Sequence, residues 1–190
     1  MVNDEQELIA RAQQGDAGAY ESLVRQHEQI AFRVAWLLSR DESEAADAAQ
    51  DAFVRAYKAL ASFQRGRPFR PWLLRIVTTQ ALNRLTAAQR RSRMTERYAA
   101  QTLLSEPGVS AEHSVETHER AERLGEAVRR LRSDEQTLIY LRYFLDLPEA
   151  EVAEVLKTAV GTVKSRTHRT LARLREIIRR DFPDLGEMEW

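Results

Sequence analysis

No cysteine occurs among the 190 residues, which excludes disulfides, thiol nucleophiles and cysteine-based zinc sites and fits a reducing compartment. Glycine and proline are scarce, at seven and five, which argues against loop-rich or all-β architectures. No apolar run approaches the ~18 residues needed to span a bilayer. The opening MVNDEQELIARAQQGD has no basic-then-apolar signal, so a cytoplasmic protein without membrane insertion is expected. A net charge of one sign is missing too, with 29 basic residues against 29 acidic. The four histidines (His27, His113, His118 and His168) form no HExxH pair, and GxSxG, Walker and GxGxxG motifs are absent. Asp47 and Asp51 lie one helical turn apart, but no further ligand makes them a metal pair. No enzyme, metal or cofactor is expected.

What is present is charge of both signs, sorted along the chain. Between Arg65 and Arg97 nine arginines face a single glutamate, and between Lys157 and Arg180 eight basic residues face Glu176. Residues 40–51 hold five acids against Arg40. Two basic stretches and one acidic stretch suggest two polyanion-binding surfaces and a partner site of another kind.

The periodicity is helical almost throughout, so an all-α fold is expected, as two small helical domains joined by a flexible linker. Leu8, Ile9 and Ala12 begin a short helix ending at Gly15. Asp16 caps a second, with Ala19, Leu23, His27, Ala31, Val34 and Leu38 on its stripe. Ser43 is the expected cap of a third, whose core stripe runs from Ala45 through Phe53 and Tyr57 to Leu60. A loop from Ser62 to Arg70 precedes a helix opened by Pro71 and carrying Trp72, Leu73, Ile76, Val77, Leu82 and Leu85. The pattern then decays over 88–118 into a tether with some helical content, broken at Pro107-Gly108, and returns at Leu124, Val128 and Leu131. The boundaries read as 1–90, a linker over 91–122, a second domain over 123–183 and a tail over 184–190; the acidic end, DFPDLGEMEW, reads as disordered, with a short self-contact as the alternative.

Residues 147–172, LPEAEVAEVLKTAVGTVKSRTHRTLA, have the pattern of a helix-turn-helix. The first helix buries Val152, Ala153 and Leu156, Ala153 being the small residue that two crossing helices require. With Val160 and Val163 turned inward on the second helix, Thr162, Lys164, Ser165, Arg166, His168, Arg169 and Arg173 cover the outer surface. These are side chains that neutralise phosphates and reach base edges in a major groove. The alternative is a solvated basic face on a packing helix. Lys157 stands where the turn usually takes glycine, which requires it to adopt a left-handed conformation.

LRSDEQTLIYLRYFLDLPEAEVAEVLKTAVGTVKSRTHRTLARLRE resembles region four of extracytoplasmic-function sigma factors, and DESEAADAAQDAFVRAYKALASFQRGRPFRPWLLRIVTTQALNRL resembles their region two. The resemblance implies that Asp47, Gln50 and Asp51 dock on the β′ clamp helices of core RNA polymerase, opposite the Phe53/Tyr57 stripe, and that the β flap is a further contact. It implies that the loop from Phe63 to Phe69, with Trp72, captures an unstacked −10 base while Arg65, Arg67 and Arg70 hold phosphates; the alternative for Phe63, Phe69 and Trp72 is a place in the core, which the helical spacing favours for Trp72. Thr79 and Asn83 replace a frequent Asn and Asp of the family, which alters base preference at −10. It implies −35 readout by Lys164, Ser165, His168 and Arg169, with Thr162 and Arg166 on the backbone. Thr167 occupies a position usually apolar in the family. Promoter DNA, core polymerase and an anti-sigma protein are the implied partners of a chain that is monomeric when free. The competing readings are an autonomous dimeric helix-turn-helix regulator, which leaves the acidic helix and aromatic loop unexplained, and a protein-interaction adaptor.

Overall fold

The computed structural model describes residues 2–95 and 115–185, with side chains over 4–87 and 120–185. The chain divides into two compact units, Met1–Leu104 and Ser105–Trp190, and the regular structure in each is helical among the described residues. None of these helices is long and apolar enough to cross a membrane.

Four helices build the first unit: α1 (Val2–Gln13), α2 (Ala17–Ser39), α3 (Glu42–Ala59) and α4 (Phe69–Thr95). Gly15, at φ 94°, ends α1, and Asp16 caps α2 by accepting the Ala19 N–H at 3.0 Å. The cap of α3 is Asp41 rather than Ser43. Its carboxylate accepts the Glu44 N–H at 2.8 Å, and Ser43 falls inside the first turn. Helices α2, α3 and α4 pack pairwise, and α1 lies along α2. The inner face of α3 is almost wholly alanine, with Ala45, Ala48, Ala49, Ala52 and Ala56 buried, so its neighbours can approach closely. Leu23, Leu73, Leu74 and Val77 fill the space between them. Tyr57 is not part of this core. It is 46% exposed, beside Val54 on the outer surface.

The second unit contains α5 (Val115–Arg129), α6 (Ser133–Ile139), a π-helical turn over Tyr140–Phe144, α7 (Glu149–Val155) and α8 (Val160–Asp181). Residues 91–95 and 115–122 of the expected tether are therefore helical, and 96–114 lie outside the described residues. The expected disorder of the tail also needs correction, because Pro183–Leu185 forms a 3-10 turn with Leu185 buried. Phe182 is buried as well, beneath the guanidinium groups of Arg123 and Arg130. Arg130 pairs with Asp181 at 2.8 Å and Arg123 with Asp184 at 2.7 Å. Residues 186–190 lie outside the described residues.

Buried side chains of α8 are Val163, Thr167, Thr170, Leu174, Ile177 and Ile178. The hydroxyl of Thr167 has no hydrogen-bond partner, so its polar atom is desolvated without compensation. Replacing Thr167 with Val removes that unsatisfied group at nearly constant volume. The variant is expected to gain about 1 kcal/mol in chemical denaturation, and a loss would contradict the burial described.

Candidate nucleic-acid interfaces and acidic docking face

The helix-turn-helix is formed by α7 and α8. Val152, Ala153 and Val155 are buried on α7, with Leu156 only partly so, and Val163 is the matching buried residue of α8. Lys157 sits in the turn at φ 51°, the left-handed conformation that the missing glycine requires. Val160 is a correction to the expected core. At 40% exposed, in the first turn of α8, it belongs to the outer surface.

Thr162, Lys164, Ser165, His168, Arg169 and Arg173 are exposed, and Arg166 is half-buried. Several of these groups are held from below. Arg166 pairs with Asp134 at 2.9 Å, Lys164 lies 3.7 Å from Glu149, and Arg173 lies 3.7 Å from Glu135. Arg169 Nε donates to the Ser165 carbonyl at 3.2 Å. The face is cationic, and acids at its margin orient part of it. Behind it, Leu124, Val128, Tyr143, Phe144 and Leu171 line an apolar cleft between α5, the π-helical turn and α8, with Tyr143 half exposed.

In the first unit, Phe63 and Phe69 are 6% and 1% exposed, and Trp72 is half-buried. Their rings meet at centroid distances of 4.9–5.7 Å. Stacking Phe63 and Phe69 on a base is not available to these buried rings. They anchor the two ends of the loop instead, and α4 already begins at Phe69, so Arg70 lies in a helical turn. Gln64, Arg65, Gly66, Arg67 and Pro68 remain as the exposed segment. Trp72, Arg75, Ile76 and Thr79 recur at three- and four-residue steps, so they share a face of α4. Thr79 is exposed, and its hydroxyl donates to the Arg75 carbonyl at 2.7 Å.

Asp47, Gln50 and Asp51 are all exposed on α3, but they divide between two faces. Gln50 borders an apolar groove between α2 and α3, lined by Tyr20, Val24, Phe32, Phe53, Val54 and Tyr57. Asp47 and Asp51 turn toward α4, where Arg84 reaches both, at 3.2 Å and 2.9 Å, and Glu44 at 3.2 Å. Three carboxylates thus share one guanidinium. Sequence reasoning counted Arg84 with the basic stretch and missed this pairing; nothing in the spacing of residues 33–40 positions apart announces it.

Beneath the loop, His27 of α2 is buried against the Phe69 ring at 5.3 Å, and Glu5 of α1 meets its Nε2 at 3.0 Å. Burial is the largest influence and holds the imidazole below its ordinary value. The Glu5 hydrogen bond and charge pull the other way, and Arg70 adds a smaller lowering effect.

The second unit is a helix-turn-helix DNA-binding module, and the first a helical bundle with a basic loop and an acidic face. Family models agree. Sigma-70 region 2 matches residues 23–91, and Sigma-70 region 4 matches residues 121–174. The RNA polymerase sigma-H factor of Pseudomonas aeruginosa is 33% identical over 172 residues, covering 87% of this chain and 89% of that protein. The ECF RNA polymerase sigma factor SigW of Bacillus subtilis is 30% identical, covering 93% and 96%. The solved structure of CnrH in complex with the cytosolic domain of CnrY superposes with a TM-score of 0.67 at 25% identity, covering 94% of this chain and 99% of that one. The chain belongs to the extracytoplasmic-function group of the sigma-70 family, as an alternative RNA polymerase sigma factor.

The depressed His27 value has a pH consequence. The unfolded chain binds a proton at this position more readily than the folded one, so stability is present above the unfolded value of about 6.5 and is lost as pH falls toward the folded value. Acidifying from about pH 7.5 to 5.5 is expected to lower the melting temperature of wild type more than that of His27→Gln. Equal slopes would remove His27 from the account.

Proposed function

We propose that the chain acts only in company with core RNA polymerase, dividing promoter recognition between its two units. The α8 face reads the −35 element in the major groove, with Lys164, Ser165, His168 and Arg169 on base edges and Thr162, Arg166 and Arg173 on phosphates. The exposed segment from Gln64 to Pro68, with Arg70, Trp72 and Thr79 beside it, receives an extruded −10 base, and Arg65 and Arg67 hold the strand. Extruding a base costs a few kcal/mol, which a preformed receptor and phosphate contacts can offset. Asp47, Gln50 and Asp51 dock on the β′ clamp helices, and the apolar cleft behind α8 takes the β flap.

The observation that supports this reading is the co-occurrence, in one chain, of a helix-turn-helix with an outward basic face and a bundle whose helix α3 exposes Asp47, Gln50 and Asp51. An autonomous repressor needs the first feature and has no use for the second. Arg84 refines the docking step. The carboxylates are already partly neutralised, so binding exchanges one internal guanidinium for basic groups on the partner. Such exchange orients the complex more than it strengthens it.

The reading places the chain in the cytoplasm, where the absence of cysteine suits it. An anti-sigma protein is a fitting regulator, since the relative CnrH is solved bound to the cytosolic domain of CnrY.

Purified chain mixed with core polymerase is expected to direct transcription from start sites mapped after its overexpression. Reversing Asp47 and Asp51 to lysine is expected to abolish co-purification with core polymerase while leaving the helical circular-dichroism spectrum intact. Retained association would refute the docking assignment. Arg169→Ala is expected to weaken −35 discrimination by about 1–3 kcal/mol with start sites unchanged, read by competition between wild-type and mutated −35 templates. Tight binding to a palindrome without polymerase would favour a dimeric regulator.

A further inference from the structure

Helix α1 precedes the segment matched by the region 2 model, yet two of its side chains reach directly into the basic loop. Gln6 makes both halves of a bridge to the loop backbone. Its carbonyl oxygen accepts the Gly66 N–H at 2.8 Å, and its amide donates to the Arg67 carbonyl at 3.0 Å. Gln13 makes three contacts. Its amide donates to the carbonyls of Leu60 at 3.0 Å and Phe63 at 2.9 Å, and its oxygen accepts Arg65 Nε at 2.7 Å. A primary amide is the side chain that can donate and accept at once, as each position demands.

The spacing makes this a joint device. Seven residues are two helical turns, so Gln6 and Gln13 lie on one side of α1, about 10 Å apart. Between them Ile9 is fully buried and fixes the rotation of the helix. Glu5, on the adjoining face, ties α1 to His27 below Phe69. The glutamines therefore hold opposite ends of the exposed segment. Within it, the Arg67 N–H donates to the Gln64 carbonyl at 3.3 Å and Arg67 Nε to the Gln64 side chain at 2.9 Å. Gly66, at φ 82°, is the point at which the backbone turns, and Gln6 holds the amide of that residue.

We infer that Gln6 and Gln13 are positioning residues for −10 recognition: they set the backbone path of residues 64–68, and so determine which base the loop accepts, while Gln13 also aims the Arg65 guanidinium at the strand. The inference rests on the proposed role of that loop at the −10 element. Without the glutamines the loop samples several shapes and discriminates poorly between bases, although the aromatic anchors keep the bundle folded.

The test uses full-length chain with core polymerase, transcribing a promoter library randomised at the −10 element, with products counted by sequencing. Wild type, Gln6→Ala/Gln13→Ala and Arg65→Ala/Arg67→Ala are compared. The glutamine variant is expected to flatten −10 preference by about fivefold or more, with −35 preference and polymerase association unchanged. A purely structural role would instead lower output from all promoters equally and would overturn the inference, as would wild-type −10 preference in the glutamine variant beside an arginine variant whose output falls. Should both variants keep wild-type preference and output, the loop's role at −10 falls and the inference with it. Gln13→Glu keeps the Arg65 contact but forfeits donation to Leu60 and Phe63, and serves if the double variant fails to fold; it is expected to show a partial loss, and full retention of preference would again overturn the inference. Hydrogen exchange in the free chain reads the tether itself, since Gln6→Ala is expected to accelerate exchange at the Gly66 amide at least tenfold. Unchanged exchange would show that Gln6 does not restrain the loop.

Discussion

Two helices come into close contact only where at least one offers small side chains, and both units depend on this constraint. In the first, the alanine face of α3 lets α2 and α4 close around it. Because the face is so small, the larger apolar side chains of α2 and α4 supply the volume, and Asp47, Gln50 and Asp51 of α3 stay exposed beyond it. In the second, Ala153 does the same at the crossing of α7 and α8, which fixes how far the basic face of α8 stands out from the unit. Charged surfaces on small domains are affordable only if the buried seam is tight, since marginal stability leaves little margin for voids.

A net charge of zero hides an arrangement in which charges are paired within the chain and remain partly available. Arg84 gathers Glu44, Asp47 and Asp51, and Asp134 and Glu135 lie beneath Arg166 and Arg173. Exposed ion pairs of this kind contribute little to stability. Their effect is to limit the conformations of long side chains before any partner arrives, which lowers the ordering cost of association. The same pairs make each surface less attractive to polyanions or polycations at large than the raw sequence charge suggests.

Most of the architecture was legible from periodicity. The helical spans, the helix-turn-helix and the left-handed Lys157 follow from local rules acting on a few residues. The errors fall where tertiary context outweighs local pattern. Ser43 and Asp41 are both good caps, and only the helix start chooses between them. Tyr57 and Val160 continue apolar stripes in sequence, but each stays exposed, outside the core of its unit. Phe182 and Leu185 stand in an acidic segment that reads as disordered, yet both are buried, Phe182 beneath the guanidinium groups of Arg123 and Arg130 from more than fifty residues earlier. At the candidate site the exposure of the basic and acidic side chains was legible, and the packing of the aromatics less so. Phe63 and Phe69 stand in a segment that reads as a loop, but burial makes them its anchors. Gln6, Gln13 and Arg84 carry no local signal at all, because their partners lie more than thirty residues away in the chain. A seven-residue glutamine spacing on α1 was visible, though nothing in sequence distinguishes it from an ordinary solvated face.

The return of the chain along α5 after α8 has a topological consequence. Asp181 meets Arg130, and three residues later Asp184 meets Arg123, so the backbone retraces α5 toward its opening turns. The last described residues of the unit consequently lie alongside its first helix. A cassette whose first and last described elements clasp one another couples their fraying, so that neither loosens without the other.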